Sequence, residues 1–210
     1  MRILFAGSPG IAVPSLNALA ALRPEEGIEP VAVLTNPDTP KGRRGDREPT
    51  EIGAAAEIIN ADRAARGLPL LTILKPEALK AEAREAVAAC EPDLLVSFAY
   101  GRIFGPKFLS LFPLGGVNVH PSLLPKYRGA TPIPAAILGR DRETGITVQR
   151  LAAEMDAGAI LAQERLALDL SETTASLGER VSLLAPELLV GVLRGLAAGT
   201  LEGRPQDGGR

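Results

Sequence analysis

The one histidine of the chain, His120, sits in the run Val117-Asn118-Val119-His120. Read as a strand, this run puts Asn118 and His120 on one face and Val117 and Val119 on the other, because successive strand side chains alternate. A carboxamide N–H and an imidazole suit acyl transfer. Both can donate to an oxygen that turns negative as a tetrahedral centre forms, and the imidazole can move a proton near neutral pH. The same pair reads equally well as a satisfied core histidine beside a structural asparagine. Ser122 is close by, but there is no G-x-S-x-G and no second His to act as its base, so no covalent nucleophile is evident. Direct attack by a substrate amine is the simpler route, and it needs a proton acceptor. Asp156, in Met155-Asp156-Ala157-Gly158, is a carboxylate in a loop between two expected strands. Alone it is an ordinary turn residue; it gains chemical meaning only where the fold carries it to His120.

Other chemistries fit the residues less well. The first strand–helix turn, Gly7-Ser8-Pro9-Gly10, is not G-x-G-x-x-G, and no G-x-x-x-x-G-K-[ST] occurs, so both common phosphate cradles are missing. One Cys (Cys90) and one His exclude Cys₂His₂-type zinc sites and an internal disulfide. A formal charge of −2 excludes a globally basic nucleic-acid binder, though not a local basic loop. Such a loop is present in Asn36–Thr50, where Lys41, Arg43, Arg44 and Arg47 are interleaved with Asp38, Asp46 and Glu48. Its near balance of charge reads as a solvated loop; its length, about 15 residues, reads as functional or disordered. Lys126-Tyr127-Arg128 forms a second basic cluster beside the suspected site.

The elements that must position these groups follow from patterning. With 210 residues, 46% hydrophobic and 3% aromatic, the chain makes one large domain with an aliphatic core. Strands are expected at Arg2–Ala6, Pro30–Thr35, Leu68–Thr72, Asp93–Phe98, Gly116–His120, Thr144–Leu151 and Ala159–Leu168. Helices are expected at Ala12–Leu22, Glu51–Arg66, Pro76–Cys90, Pro132–Leu138 and from about Ser171, with a break at Pro186. This alternation predicts an α/β fold, a mostly parallel open sheet with helices on both faces and its ligand beyond the carboxyl ends of the strands. The Gly- and Pro-rich end reads as a linker or frayed tail. No apolar run is long enough to cross a membrane, and MRILFAG enters a strand without the pattern of a signal peptide, so a cytoplasmic protein is expected.

Five pieces in order, Asn118-Val119-His120, Ser122-Leu123-Leu124-Pro125, Arg128-Gly129, Glu143-Thr144-Gly145-Ile146-Thr147 and Asp156-Ala157-Gly158-Ala159-Ile160, resemble the folate-dependent formyltransferase family. Phe5-Ala6-Gly7-Ser8-Pro9, Thr35-Asn36-Pro37-Asp38 and Ala99-Tyr100-Gly101 are similar to the branch of that family acting on methionyl-tRNA. The resemblance implies a Rossmann-like formyltransferase domain. It implies 10-formyltetrahydrofolate as donor, no metal, and the α-amine of initiator methionyl-tRNA as acceptor. Asn118, His120 and Asp156 match the family's catalytic residues, and Ser122, Leu123, Leu124 and Pro125 its folate-contacting segment. The pterin pocket falls near Phe98–Gly101 and the loop before Asp156. Arg43 matches a basic residue that contacts the RNA. A departure lies at the end of the chain, where the family's linker to a C-terminal tRNA-binding domain would begin. Residues 1–200 are therefore expected as the formyltransferase domain and 201–210 as linker or tail, with the C-terminal domain absent, and a monomer is expected. Pro121 and the Lys126–Gly129 run also resemble the glycinamide-ribonucleotide and nucleotide-sugar branches, so a sugar amine is the alternative acceptor.

Overall fold

The computed structural model describes residues 1–40 and 47–207. The elements in chain order are β1 (Arg2–Ala6), α1 (Val13–Ala20), β2 (Glu29–Leu34), β3 (Thr39–Pro40), β4 (Arg47–Glu48), α2 (Glu51–Ala65), β5 (Thr72–Leu74), α3 (Ala81–Ala88), β6 (Leu94–Ser97), α4 (Pro106–Leu109), β7 (Gly116–His120), α5 (Pro132–Leu138), β8 (Glu143–Arg150), β9 (Ile160–Ala167) and α6 (Thr174–Ala197). Seven strands form one sheet in the order β5-β2-β1-β6-β7-β8-β9, while β3 and β4 pair as a separate two-residue ribbon. From β5 to β7 all pairings are parallel; β7–β8 and β8–β9 are antiparallel. The α/β class and mostly parallel sheet are as expected.

Alternation along β1 sorts the core onto two faces. Ile3 and Phe5 pack with Leu16 and Leu19 of α1, Ile52 and Ala56 of α2, and the apolar stripe of α6. Leu4 and Ala6 pack on the other face with Val87 of α3, Cys90 just beyond it and Phe108 of α4. The chain winds outward from β1 through β2 to β5, then crosses back to β6 and β7. That reversal switches the helices from one face to the other and opens a crevice at the carboxyl ends of β1 and β6.

Three elements differ from expectation for visible reasons. The strand expected at Leu68–Thr72 lies at Thr72–Leu74. Pro69 has no N–H to give a ladder, and the Asn60 carboxamide takes both main-chain groups of Leu71, accepting from its N–H at 2.7 Å and donating to its carbonyl at 2.9 Å. Helix α3 starts at Ala81 rather than Pro76. The carbonyls of Pro76 and Glu77 instead accept from the Arg102 guanidinium at 3.0 and 2.8 Å. Pro186 does not break α6, which runs from Thr174 to Ala197. Val181, Ala185, Leu189 and Leu193 are fully buried at a spacing of four, so packing on both sides of the proline outweighs its cost of about 3 kcal/mol. The chain end is docked rather than frayed over its described part: Arg204 forms an antiparallel bridge with Ile160 through N–H···O bonds of 2.8 and 2.9 Å. Among the described residues, no helix is long and apolar enough to cross a membrane.

Candidate active site

The site is built where β7 ends. Val117 and Val119 point into the core beneath α6, so Asn118 and His120 take the opposite face, as their spacing predicts. Across the β7–β8 ladder Asn118 is opposite Gln149, and His120 is opposite Thr147. Four polar side chains thus stand together in the middle of a sheet whose neighbouring positions are aliphatic.

The third group arrives from the loop joining β8 to β9. Asp156 has a left-handed backbone (φ 52°), which costs a residue with a Cβ of the order of 1 kcal/mol. The turn continues through Gly158. A Cβ there would lie 1.8 Å from the Arg150 carbonyl oxygen, so only glycine lets the loop fold this tightly onto the end of β8. Gly158→Ala is expected to destabilise the protein by about 3 kcal/mol, because a main-chain oxygen rather than a flexible side chain must give way. A shift of the urea midpoint at unchanged slope measures this.

Asp156 is the hub of the site. Its Oδ1 accepts from Gln149 Nε2 at 2.9 Å and from Asn118 Nδ2 at 3.4 Å. Its Oδ2 accepts from the Gly129 N–H at 2.9 Å and faces His120 Nδ1 at 3.5 Å. The His120 ring is fixed on its far side by the Tyr127 carbonyl, 2.8 Å from Nε2. A carbonyl can only accept, so Nε2 carries a hydrogen, and a proton on Nδ1 would point at Asp156. The Gln149 and Gly129 contacts are short and hold the carboxylate. The Asn118 and His120 contacts are long, which leaves Asn118 Nδ2, and a protonated His120 Nδ1, open to an oxygen placed between them. The side chains of His120 and Asp156 are only 5% and 12% exposed, so charges here interact through little water.

These groups open into a cleft of about 510 Å³. Its far wall is the main chain of Phe98–Gly101 with Ile103 and Phe104; Ala152, Ala153 and Met155 close it from the Asp156 loop. Tyr100, Phe104, Phe108 and Phe112 recur every four residues; the first three stack in sequence and Phe112 tilts against Phe108, with centroids 5.3–5.7 Å apart, which stiffens that wall. Burial pushes the Tyr100 phenol up, so it stays neutral, and its hydroxyl has no hydrogen-bond partner among the described residues. Ala99, Tyr127 and Asp156 all have φ between 52° and 58°. Ala99 and Asp156 line the cleft and Tyr127 holds its imidazole; strained residues at such places are a frequent mark of a working site.

The structure thus brings Asn118, His120 and Asp156 together, and sets Phe98–Gly101 and the loop before Asp156 in one cleft. Ser122, Leu123, Leu124 and Pro125 do not line that cleft. Ser122 and Leu124 are buried behind His120. Ser122 Oγ donates to the Lys126 carbonyl at 2.6 Å, and Thr147 Oγ1 donates to the Ser122 carbonyl at 2.6 Å. The segment braces the loop that delivers the Tyr127 carbonyl to the imidazole. Arg43 lies outside the described residues. Gln149 escaped the sequence reading although its signal was present: Thr147 and Gln149 are polar at a spacing of two in an aliphatic strand, as Asn118 and His120 are in theirs. No group of three or more metal-ligating side chains occurs among the described residues.

The chain is similar to known proteins over most of its length. Residues 1–193 match the family pattern described as formyl transferase. The chain is 48% identical over 208 residues to the methionyl-tRNA formyltransferase of Treponema pallidum (strain Nichols), covering 99% of this chain and 63% of that protein. It therefore spans less than two thirds of the length of that relative. Among solved structures, glycinamide ribonucleotide transformylase 1 of Geobacillus kaustophilus superposes with a TM-score of 0.68 at 27% identity, covering 93% of this chain and 98% of that one. The enzyme of the same name from Symbiobacterium toebii superposes with a TM-score of 0.77 at 23% identity, covering 99% and 94%.

Proposed function

As the chain belongs to the formyl transferase family, we propose that it transfers a formyl group from 10-formyltetrahydrofolate to the α-amine of initiator methionyl-tRNA, as a cytoplasmic monomer. The acceptor is taken from relatives such as the 48% identical enzyme of Treponema pallidum. The chemistry rests on one observation: an amide, an imidazole and a carboxylate from β7 and the Asp156 turn meet within 3.5 Å at the mouth of a cleft.

The neutral amine attacks the formyl carbon carried on N10. Asn118 Nδ2 and, when the ring carries a proton on both nitrogens, His120 Nδ1 donate to the carbonyl oxygen as it gains negative charge; each such donor contributes about 3 kcal/mol of barrier lowering. Asp156, directly or through one water, takes the proton the amine loses on forming the new C–N bond. The C–N10 bond then breaks and N10 takes up a proton, so one proton leaves the amine and one reaches the folate. The pterin is assigned to the wall at Phe98–Gly101, where main-chain groups can read its edge. Ser122–Pro125 are assigned to the donor side of the site, with Ser122 bracing the loop behind His120.

Residues 1–200 are assigned to catalysis and 201–210 to a linker. A domain of charge −2 offers few phosphate contacts, so RNA binding through the catalytic domain falls to the 36–50 loop, with Arg43 its contact.

An acceptor panel tests the reading. With 10-formyltetrahydrofolate, transfer to charged initiator tRNA is expected to exceed transfer to a nucleotide amino sugar or to glycinamide ribonucleotide by at least about a hundredfold in kcat/KM; a loss of this size follows when remote binding energy is missing. Activity confined to the sugar would replace the acceptor while leaving the chemistry intact. Arg43→Ala is expected to lower use of tRNA about tenfold while sparing slow hydrolysis of the donor. Equal loss of both would remove the loop from RNA binding.

A further inference from the structure

Beyond the three groups that meet the reactants, Asp156 depends on a side chain from the far end of the chain. Residues 201–207 are extended and mostly exposed, yet Gln206 turns inward between two exposed neighbours, Pro205 and Asp207. Its Nε2 donates to the Gly158 carbonyl at 2.7 Å and to the Asp156 carbonyl at 2.8 Å, with Gln149 Oε1 at 3.1 Å. Its Oε1 accepts from Arg128 Nη2 at 2.8 Å and Nε at 3.1 Å. Carbonyls only accept and a guanidinium only donates, so these partners leave one orientation for the amide.

The partners are not a random set. Asp156 and Gly158 are the strained and the tightly packed residues of the catalytic turn. Arg128 precedes Gly129, whose N–H holds Asp156 Oδ2. Gln149 holds Oδ1 and keeps its own amide oriented by presenting Oε1 to Gln206. Gln206 therefore touches each of the three stretches that fix the carboxylate: the turn itself, the 128–129 loop and β8.

We infer that Gln206 is a positioning residue for Asp156, clamping the left-handed turn and its two supports in the geometry that accepts the amine proton. The role given to Asp156 is that of the proposed function; the clamp is a statement about geometry. Unlike an anchor for the tail, the clamp depends on the donor half of the amide. Arg204 already docks the segment through its bridge to Ile160, and Arg128 would hold a carboxylate at 206 as firmly as an amide. Gln206→Glu keeps the tail docked but withdraws both donors from the Asp156 and Gly158 carbonyls.

The test uses the full chain with Gln206→Ala and Gln206→Glu, and exposed Glu202→Ala as control. One readout needs no substrate. The Gly129 amide is protected by its bond to Asp156 Oδ2, so its hydrogen exchange, followed by NMR, reports whether the carboxylate is in place. At least tenfold faster exchange is expected in both Gln206 variants, with core amides such as that of Phe98 unchanged. The second readout is steady-state formyl transfer: kcat is expected to fall ten- to a hundredfold in both variants, with KM for 10-formyltetrahydrofolate within twofold of wild type. Wild-type turnover or unchanged Gly129 exchange in Gln206→Glu would overturn the inference. So would loss of thermal midpoint and donor KM together, which is what a mere anchor would give. Should the wild type transfer formyl to no acceptor while Gly129 exchange still responds, the functional reading fails and the clamp stands.

Discussion

Asp156→Asn is expected to lower kcat for formyl transfer about a thousandfold, while affinity for 5-formyltetrahydrofolate, an unreactive relative of the donor, changes less than about fivefold. The substitution is isosteric but chemically abrupt. The carboxylate meets four N–H groups, from Asn118, Gln149, Gly129 and, when its Nδ1 is protonated, His120. An amide offers one oxygen and a second donor, so one or two of these N–H groups must then face another N–H. Gln149 cannot simply turn its amide to help, because its Oε1 is engaged by Gln206. The variant therefore loses its proton acceptor, and the imidazole Nδ1 loses the carboxylate oxygen it faces. The wall at Phe98–Gly101, to which the pterin is assigned, makes no hydrogen bond to the Asp156 carboxylate, which is why donor binding is expected to survive. Turnover within tenfold of wild type would mean that the amine proton leaves by another path.

Asn118→Ala is expected to cost about a hundred- to a thousandfold in kcat with KM for the donor nearly unchanged, since an oxyanion donor acts only once charge has developed on the oxygen. Asn118 is half-buried and its amide makes one long contact, so the thermal midpoint should hardly move. Asn118 and Asp156 share that contact and act in the same step. The double variant Asn118→Ala/Asp156→Asn should therefore be little worse than the poorer single variant. Additive losses in the double-mutant cycle would indicate that the two side chains serve separate steps.

How much of this could be read from the chain depended on the range over which each signal acts. The shared face of Asn118 and His120 was legible because strand alternation is a local rule. The convergence of Asp156 on them was not: it depends on β8 running antiparallel beside β7 and on a turn whose tightness only the clash at Gly158 reveals. The tail containing Gln206 looked like punctuation because Gly203, Pro205, Gly208 and Gly209 surround it, and composition carries no information about docking. Pro186 misled in the opposite sense. The local penalty was read correctly, but buried positions four residues apart on either side of it override a penalty of that size. The family resemblance supplied what the local rules could not, by tying distant pieces to one site. It also implies folate contact for Ser122–Pro125, and in the structure the Ser122 hydroxyl and carbonyl are hydrogen-bonded within the loop behind His120.

The aromatic inventory has a practical corollary. The chain contains no Trp and two Tyr. One of them, Tyr100, forms the wall of the cleft, and the other, Tyr127, holds the imidazole through its carbonyl. Tyrosine emission from the unlabelled protein therefore arises from two fluorophores, of which Tyr100 borders the reaction chamber while the ring of Tyr127 lies against Lys126 in a separate pocket. A ligand-induced change in the Tyr100 component is thus a local signal of occupancy, and native, dye-free material suffices to follow it in real time.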